Sequence, residues 1–142
     1  SHLGRKKEKF FIHINVEKEN LSAYMDSRLI SQVIFNLVDN AMKYSPEGTN
    51  IVIKAEADGN DLKISVIDEG AGISDEDKAK IFDMFYTVNN KIADGRRGLG
   101  LGLALCKAVI EAHGGKVNIM DNKPCGTIFS FDIKSDVEND NE

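Results

Sequence analysis

The stretch "DEGAGI", residues 68–73, places an acidic pair directly before two glycines at the end of an apolar run. A strand that ends in Gly-x-Gly is most simply a turn back into solvent. The alternative is that the turn holds a ligand. These six residues alone leave both interpretations open, so the flanking sequence has to decide between them.

The run before this turn is the second half of a predicted β-hairpin. "NIVIKAEA" (50–57) and "LKISVID" (62–68) alternate apolar and polar residues on either side of "DGND", with the turn at Asp58-Gly59 or Gly59-Asn60. After the acidic turn, "SDEDKAKIFDMF" (74–85) opens with a Ser/Asp cap and predicts a short helix.

Farther upstream the sequence predicts a strand and a long helix. "FFIHINV" (10–16) is rich in β-branched and aromatic residues, which is typical of a strand. A helix is expected to begin after Asp26 as N-cap and to end before Pro46 and Gly48. Its apolar residues recur at helical spacing: Leu29, Ile30, Val33, Ile34, Leu37, Val38 and Ala41.

Downstream, "YTVNNKIADGRRGLGLG" (86–102) is polar and glycine-bearing, which predicts a mobile loop. "LALCKAVIEAH" (103–113) predicts a helix closed by two glycines, and "KVNIM" (116–120) and "GTIFSFDI" (126–133) predict a last strand pair. Hairpins therefore outnumber strand-helix-strand units. This order predicts a two-layer α/β sandwich, with helices on one face of a mixed, mainly antiparallel sheet.

Composition sets further bounds. A chain of 142 residues with 42% hydrophobic content fits one compact domain, and a net charge of -5 argues against sequence-independent nucleic-acid binding. We expect neither a membrane span nor a secretion signal, because no apolar run reaches about 18 residues. Cys106 and Cys125 suggest no disulfide scaffold, which suits a reducing cytosol. His2, His13 and His113 have no second ligand at metal spacing.

Four residues of the long helix form one polar stripe beside its apolar arc. Asn36, Asn40, Lys43 and Tyr44 follow the spacing i, i+4, i+7, i+8. Carboxamide oxygens are hard ligands that suit Mg²⁺, and lysine supplies positive charge for phosphate. The alternative is a solvated helix face whose asparagines bond locally.

"GLGLGL" (98–103) comes directly before a predicted helix, and Arg96 and Arg97 precede it. Glycines let backbone N–H groups approach an anion, the helix N-terminus adds its dipole, and guanidinium groups can clamp phosphate oxygens. The motif matches neither G-x-G-x-x-G nor the P-loop pattern. The alternative is a flexible loop with solubilising charge. Without a G-x-S-x-G nucleophile context, the chain is expected to hold a phosphate-bearing, Mg²⁺-associated ligand rather than to catalyse alone.

Four ordered motifs resemble the catalytic ATP-binding domain of sensor histidine kinases, in the superfamily shared with gyrase B, Hsp90 and MutL. "NLVDNAMKYSP" (36–46) resembles the N box, "DEGAGI" the G1 box, "IFDMFY" (81–86) the F box and "GLGLGL" the G2 box. The run from residue 84 to 115 looks like the potassium-responsive Kdp-type sensor kinases. The resemblance implies a Bergerat fold, a five-stranded sheet with three helices on one face.

The resemblance also implies roles for these residues. Asp68 would accept a hydrogen bond from the adenine amine, with room for the base left by Gly70 and Gly72. Asn40, helped by Asn36, would bind Mg²⁺. Lys43 would approach the phosphates, Tyr44 would stack near adenine, and Phe82 and Phe85 would pack the base of an ATP lid at 87–97. The expected ATP contacts are Asn36, Asn40, Lys43, Tyr44, Asp68, Gly70, Gly72, Ile73, Phe85, Arg96, Arg97, Gly98, Leu99, Gly100, Leu101, Gly102 and Leu103.

The chain departs from the superfamily at two informative places. Asn36 stands where gyrase- and Hsp90-type ATPases carry a glutamate base, so rapid intrinsic ATP hydrolysis is not expected. Leu99 replaces the Ser or Thr often found in the G2 box, so a hydroxyl contact to phosphate is not expected there. No histidine fits the phosphoacceptor motif, which lies in a separate dimerisation domain.

The implied function is donation of the ATP γ-phosphoryl group to a histidine on that domain, for onward transfer to a response-regulator aspartate. We expect residues 1–9 to be a linker or expression remnant, 10–134 the ATP-binding domain and 135–142 a disordered acidic tail. This piece is expected to be a monomer without nucleic-acid or membrane contact. The resemblance implies that the whole protein is a homodimeric bacterial inner-membrane sensor, with this domain in the cytoplasm.

Two alternatives belong to other functional classes. One is a nucleotide-sensing or partner-docking module whose site no longer supports transfer, which phosphorylation of a supplied dimerisation domain would distinguish. The other is a serine kinase of the anti-sigma-factor type on the same fold. That class typically carries a glutamate near the N box, so Asn36 disfavours it, and a comparison of serine and histidine substrates would separate the two.

Overall fold

The computed structural model describes residues 10–16, 26–83 and 101–134. These residues contain five strands and three helices. In chain order they are β1 (Phe11–Val16), α1 (Ser27–Tyr44), β2 (Asn50–Asp58), β3 (Asp61–Ile67), α2 (Asp75–Lys78), α3 (Leu101–Ala112), β4 (Lys116–Asp121) and β5 (Thr127–Lys134).

The strands form one sheet in the order β1-β2-β3-β5-β4. β1 pairs with β2 in parallel, and the other three neighbouring pairs are antiparallel. The β2–β3 hairpin turns at Gly59 and Asn60, one of the two predicted positions. Because β3 pairs with β5, the end of β3 at Ile67 lies opposite Ile128 near the start of β5. This register brings the acidic turn against the loop before β5.

α1 forms where its N-cap and its apolar periodicity predict it. The Asp26 side chain accepts hydrogen bonds from the N–H groups of Arg28 and Leu29, at 3.0 and 3.3 Å, and so satisfies two N–H groups of the first turn. The helix ends at Tyr44, where Ser45 takes an extended conformation before Pro46. One side of α1 is buried, through Ile30, Val33, Leu37, Val38, Ala41 and Met42.

The core lies between the sheet and the two long helices. Cys106 and Ile110 of α3 are buried in the same cluster as alternate residues of the central strands. On β5 these are Phe129, Phe131 and Ile133, each at most 2% exposed. The expected two-layer α/β sandwich, with a five-stranded mixed sheet and three helices, is confirmed.

α2 is shorter than the helix predicted over 74–85. Ser74 caps it by accepting from the Asp77 N–H at 3.1 Å, but the helix ends after one turn, at Lys78. Ile81 is buried, and the ring of Phe82 packs edge-on against Phe129 at 6.3 Å. Packing of these side chains on the sheet therefore takes precedence over helical continuation. This contact packs Phe82 on the sheet, but its predicted role at the base of the ATP lid stays a prediction, because residues 84–100 lie outside the described ranges.

Candidate functional site

Asp68 directly follows β3 and is buried, with 6% of its surface exposed. Its Oδ1 accepts hydrogen bonds from the main-chain N–H groups of Gly70, at 2.9 Å, and Thr127, at 3.0 Å. Its own N–H donates to the Thr127 carbonyl at 2.9 Å. The carboxylate is thus held both by its own turn and by the first residue of β5.

Burial and hydrogen bonding have opposite effects on the pKa of Asp68. Burial raises the pKa of this carboxyl group, the two N–H donors lower it, and the charge of Glu69 raises it further. Within the described residues, Oδ1 accepts both of the hydrogen bonds that the Asp68 carboxylate makes. Oδ2 is therefore available to a further donor.

Three glycines allow the backbone to pass closely around Asp68. A Cβ on Gly70 would lie 2.5 Å from the carbonyl oxygen of Tyr44, so only glycine lets the turn cross the end of α1 here. Gly72 has a φ of +88°, a conformation that favours glycine. A Cβ on Gly126 would lie 2.0 Å from the Asp68 carbonyl oxygen. The turn is therefore pressed between α1 on one side and the β4–β5 loop on the other.

The β4–β5 loop was missed as part of the site by the sequence analysis. Asn122 donates its side-chain N–H to the Asp68 carbonyl at 2.8 Å, and the Cys125 thiol lies 3.6 Å from the Glu69 carbonyl. The only local signal was a Gly-Thr pair at the start of the last strand. Its link to Asp68 spans 59 residues, so it becomes visible only once the β3–β5 pairing is known.

The polar stripe of α1 leads to this turn. Asn36, Asn40 and Lys43 are half-buried, and Tyr44, at the end of the helix, is 42% exposed. Asn36 also lies against α3. Burial raises the pKa of the Cys106 thiol to about 11, and a hydrogen bond with Asn36 opposes that rise. The stripe therefore runs from the α1–α3 contact to the acidic turn.

The structure describes some of the other residues that were predicted to contact ATP. Ile73 and Leu103 are partly buried and pack against the core, whereas a Cβ on Gly102 would meet no atom within 4 Å. Leu101 begins α3. The predictions for Phe85, Arg96, Arg97, Gly98, Leu99 and Gly100 fall outside the described residues.

The Mg²⁺ ligands predicted from the sequence are two asparagine side chains of α1. Across 10–16, 26–83 and 101–134, no three His, Cys, Asp or Glu side chains cluster as a metal site would require. The carboxamides of Asn36 and Asn40 are neutral oxygen donors, of the kind that share a Mg²⁺ ion with substrate phosphates. In the same residues no helix is long and apolar enough to cross a membrane.

The structure thus brings together a buried carboxylate, glycines around it and a polar helix stripe that ends beside it. A family model described as "Histidine kinase-, DNA gyrase B-, and HSP90-like ATPase" matches residues 25–137. The chain belongs to this ATPase family. ATP is therefore the nucleotide that the family indicates for this domain.

The sequence relatives of this ATPase domain include bacterial sensor kinases. It is 46% identical over 126 residues to the sensor protein KdpD of Clostridium acetobutylicum, a match that covers 89% of the chain and 14% of the relative. It is 36% identical over 130 residues to the sensor histidine kinase WalK of Bacillus subtilis, covering 89% of the chain and 21% of the relative. The chain thus spans between about a seventh and a fifth of these two proteins.

Solved structures lead to the same type of domain. The catalytic domain of histidine kinase ThkA superposes with a TM-score of 0.78 at 31% identity, covering 94% of this chain and 85% of that one. ThkA in complex with the response regulator protein TrrA gives a TM-score of 0.77 at 31% identity, covering 96% of this chain and 37% of that one. The ATPase domain is of the sensor histidine kinase type, as its four motifs predicted.

Proposed function

We propose that this domain binds Mg²⁺-ATP through the acidic turn and presents the γ-phosphate to a histidine on a separate dimerisation domain. The observation that carries the proposal is the Asp68 carboxylate, which is buried and anchored through Oδ1 by two backbone N–H groups. The likeness to histidine kinase catalytic domains supplies the reaction class. Residues 10–134 are proposed as the nucleotide-binding unit.

Asp68 is proposed to select adenine. Its free Oδ2 accepts a hydrogen bond from the exocyclic amine, whereas guanine offers a carbonyl at that position and would leave a buried carboxylate facing an acceptor. Tyr44 lies across the turn from Asp68, because its carbonyl contacts Gly70. Its exposed ring is proposed to cover the base. Gly70, Gly72 and Ile73 complete this end of the pocket.

The phosphate end is proposed to lie along the α1 stripe and before α3. Asn40, with Asn36 beside it, would hold Mg²⁺, and Lys43 would approach the phosphates. When bound, the ion neutralises phosphate charge that builds up during transfer. Arg96, Arg97 and the backbone from Gly98 to Leu103 are proposed to bind the triphosphate.

The domain itself supplies position and charge, not the nucleophile. A histidine nitrogen of the partner domain attacks the γ-phosphorus, the bond to the bridging oxygen breaks, and ADP leaves. Both histidines that the structure describes are already engaged. His13 bonds to Asn50 at 2.9 Å, and His113 bonds to the main chain of Asp26 and Val109. This supports an acceptor histidine outside these residues.

A response regulator is the proposed destination of the phosphoryl group, which would move from the histidine to an aspartate. The solved complex of ThkA with TrrA supports this proposal. The likeness to KdpD motivates two further proposals: that the intact protein responds to potassium, and that it is a homodimeric sensor in the inner membrane.

The test is calorimetric titration of the domain with ATP and GTP, each with and without Mg²⁺. Asp68→Asn is the variant to use. Alanine at this position would leave the Gly70 and Thr127 N–H groups unpaired, whereas an asparagine oxygen can still accept from both. We expect adenine-selective binding that weakens at least about 100-fold in Asp68→Asn, because an amide donor would then face the amine donor.

A supplied dimerisation domain then tests transfer, with radiolabelled ATP and an acceptor-histidine variant as control. Unchanged ATP affinity in Asp68→Asn would remove the adenine assignment. Saturable binding without labelling of the histidine would instead favour the nucleotide-sensing module.

A further inference from the structure

Ser45 carries an unusual hydroxyl group. Within the described residues, its Oγ is the single buried side-chain polar atom that has no hydrogen-bond partner. The residue follows α1 directly, has an extended backbone (φ -115°, ψ 146°) and is 8% exposed. More than nine-tenths of this polar residue is therefore enclosed without a bond to its hydroxyl.

The hydroxyl lies against the acidic turn. A Cβ placed on Gly70 would be 3.2 Å from Ser45 Oγ, and the Gly70 N–H is one of the two groups that hold the Asp68 carboxylate. Ser45 therefore lies at the base end of the proposed nucleotide site. Asn36, the first residue of the α1 stripe, lies more than two helical turns earlier.

The fold does not gain from this hydroxyl. A buried hydroxyl without a hydrogen bond is destabilising, because it has lost its water partners and gained none. Alanine would occupy the same place without that loss. Buried polar groups normally have a hydrogen-bond partner. Because this hydroxyl lies beside the proposed nucleotide site, a bound ligand can supply the partner that it lacks.

We propose that Ser45 is a specificity-determining residue for the nucleotide base, whose hydroxyl gains its hydrogen bond when the base is bound. The partner is an acceptor on the base or a water held against the base. Rotation about one side-chain bond redirects the hydroxyl. This inference rests on the proposed function, because it takes the base to lie at Asp68.

The experiment compares Ser45→Ala with the wild-type domain in titrations with adenosine, ADP and ATP, and in urea unfolding without nucleotide. We expect the dissociation constant to rise about 3- to 10-fold, as for loss of one hydrogen bond, and equally for all three ligands. Stability without nucleotide is expected to be unchanged or higher. A merely structural role would instead lower it.

Two further variants sharpen the comparison. Ser130→Ala removes another buried serine hydroxyl, in β5 opposite Ser65, and is expected to leave the dissociation constants unchanged. Ser45→Cys keeps the size and a weak donor, so its affinity is expected between those of serine and alanine. It also serves if Ser45→Ala does not fold.

The outcomes separate this inference from the proposed function. Wild-type affinity in Ser45→Ala would overturn the inference while adenine binding stands. A loss confined to ATP would also overturn it, because the hydroxyl would then act at the phosphate end. If the wild-type domain bound none of the three ligands, the proposed function would fall and the inference with it.

Discussion

At the scale of single residues, Asp68 is the clearest case in which binding and burial favour opposite states of ionisation. Accepting a hydrogen bond from an amine suits an ionised carboxylate, yet burial raises the pKa of Asp68 and so disfavours ionisation. The N–H groups of Gly70 and Thr127 offset part of this penalty. If Asp68 stays ionised for nucleotide binding despite its burial, it is expected to lower the stability of the folded domain.

The pH dependence of unfolding tests this conflict. The pKa of Asp68 is raised above its ordinary value of 3.8, so the folded state binds the proton more tightly than the unfolded state. That stabilisation is complete below pH 3.8 and is lost as pH rises through the folded pKa. Asparagine never ionises, so Asp68→Asn should gain about 0.5–2 kcal/mol over wild type at pH 7 and nothing near pH 3.

Urea unfolding between pH 3 and pH 8 measures the difference. Asp132→Asn is the matched control. Burial and the nearby charges of Asp61 and Asp58 raise the pKa of Asp132 too, so its stability effect should have the same sign, while ATP affinity should not change. A less stable Asp68→Asn domain at pH 7 would mean that the two N–H donors outweigh burial.

At the scale of elements, His113 joins the end of α3 to the start of α1. Its Nε2 accepts from the Asp26 N–H at 3.0 Å, and its Nδ1 lies 2.8 Å from the Val109 carbonyl. The ring is half-buried between the helices. A neutral ring that donates through Nδ1 and accepts through Nε2 satisfies both partners.

Replacing His113 with alanine should loosen this junction. The Asp26 N–H would lose its partner, although water can reach this exposed end of the helix, so we expect a loss of about 0.5–1.5 kcal/mol in the free energy of unfolding. Lys107→Ala, at an exposed position of α3, controls for the change in helix composition. Equal stability of the two variants in urea would show that the histidine bonds contribute nothing.

How well an element could be predicted depended on where its stability arises. α1 was predicted almost to its ends, because a cap, a long apolar period and a terminal proline act locally. α2 was overextended, because burial of Ile81 and the contact of Phe82 with Phe129 come from the sheet. The local sequence pattern does not show which side chains will pack on the sheet.

At the scale of the whole molecule, the site is assembled from three distant segments. Tyr44 ends α1 and Ser45 follows it, the acidic turn follows β3, and residues 122–127 precede and begin β5. The N-box and G1 stretches could be singled out from the sequence because their patterns are local, whereas residues 98–100 of the G2 box lie outside the described ranges. Asn122, Gly126 and Thr127 could not be singled out, because only the antiparallel β3–β5 pairing carries them to Asp68. The parallel partner of β1 was hidden in the same way.

The base end and the phosphate end of the proposed pocket are expected to contribute separately to the stabilisation of the domain by ATP. At a ligand concentration of about 100 times its dissociation constant, binding raises the free energy of unfolding by about 2.7 kcal/mol. Arg97→Ala should raise the dissociation constant for ATP and so reduce this stabilisation at fixed ATP, because the guanidinium is proposed to bind phosphate oxygens. The stabilisation by adenosine should stay the same.

Urea unfolding with each ligand at fixed concentration tests this separation. Arg28→Ala makes the same charge change at an exposed position in the first turn of α1, roughly 12 Å along the helix from Asn36, the nearest residue of the polar stripe, so both ligands should stabilise it as they do the wild type. Equal losses for ATP and adenosine in Arg97→Ala would remove its phosphate role. A loss of the same size for ATP in Arg28→Ala would instead point to long-range attraction by net charge, which salt near 1 M should abolish because it screens charges beyond about 3 Å.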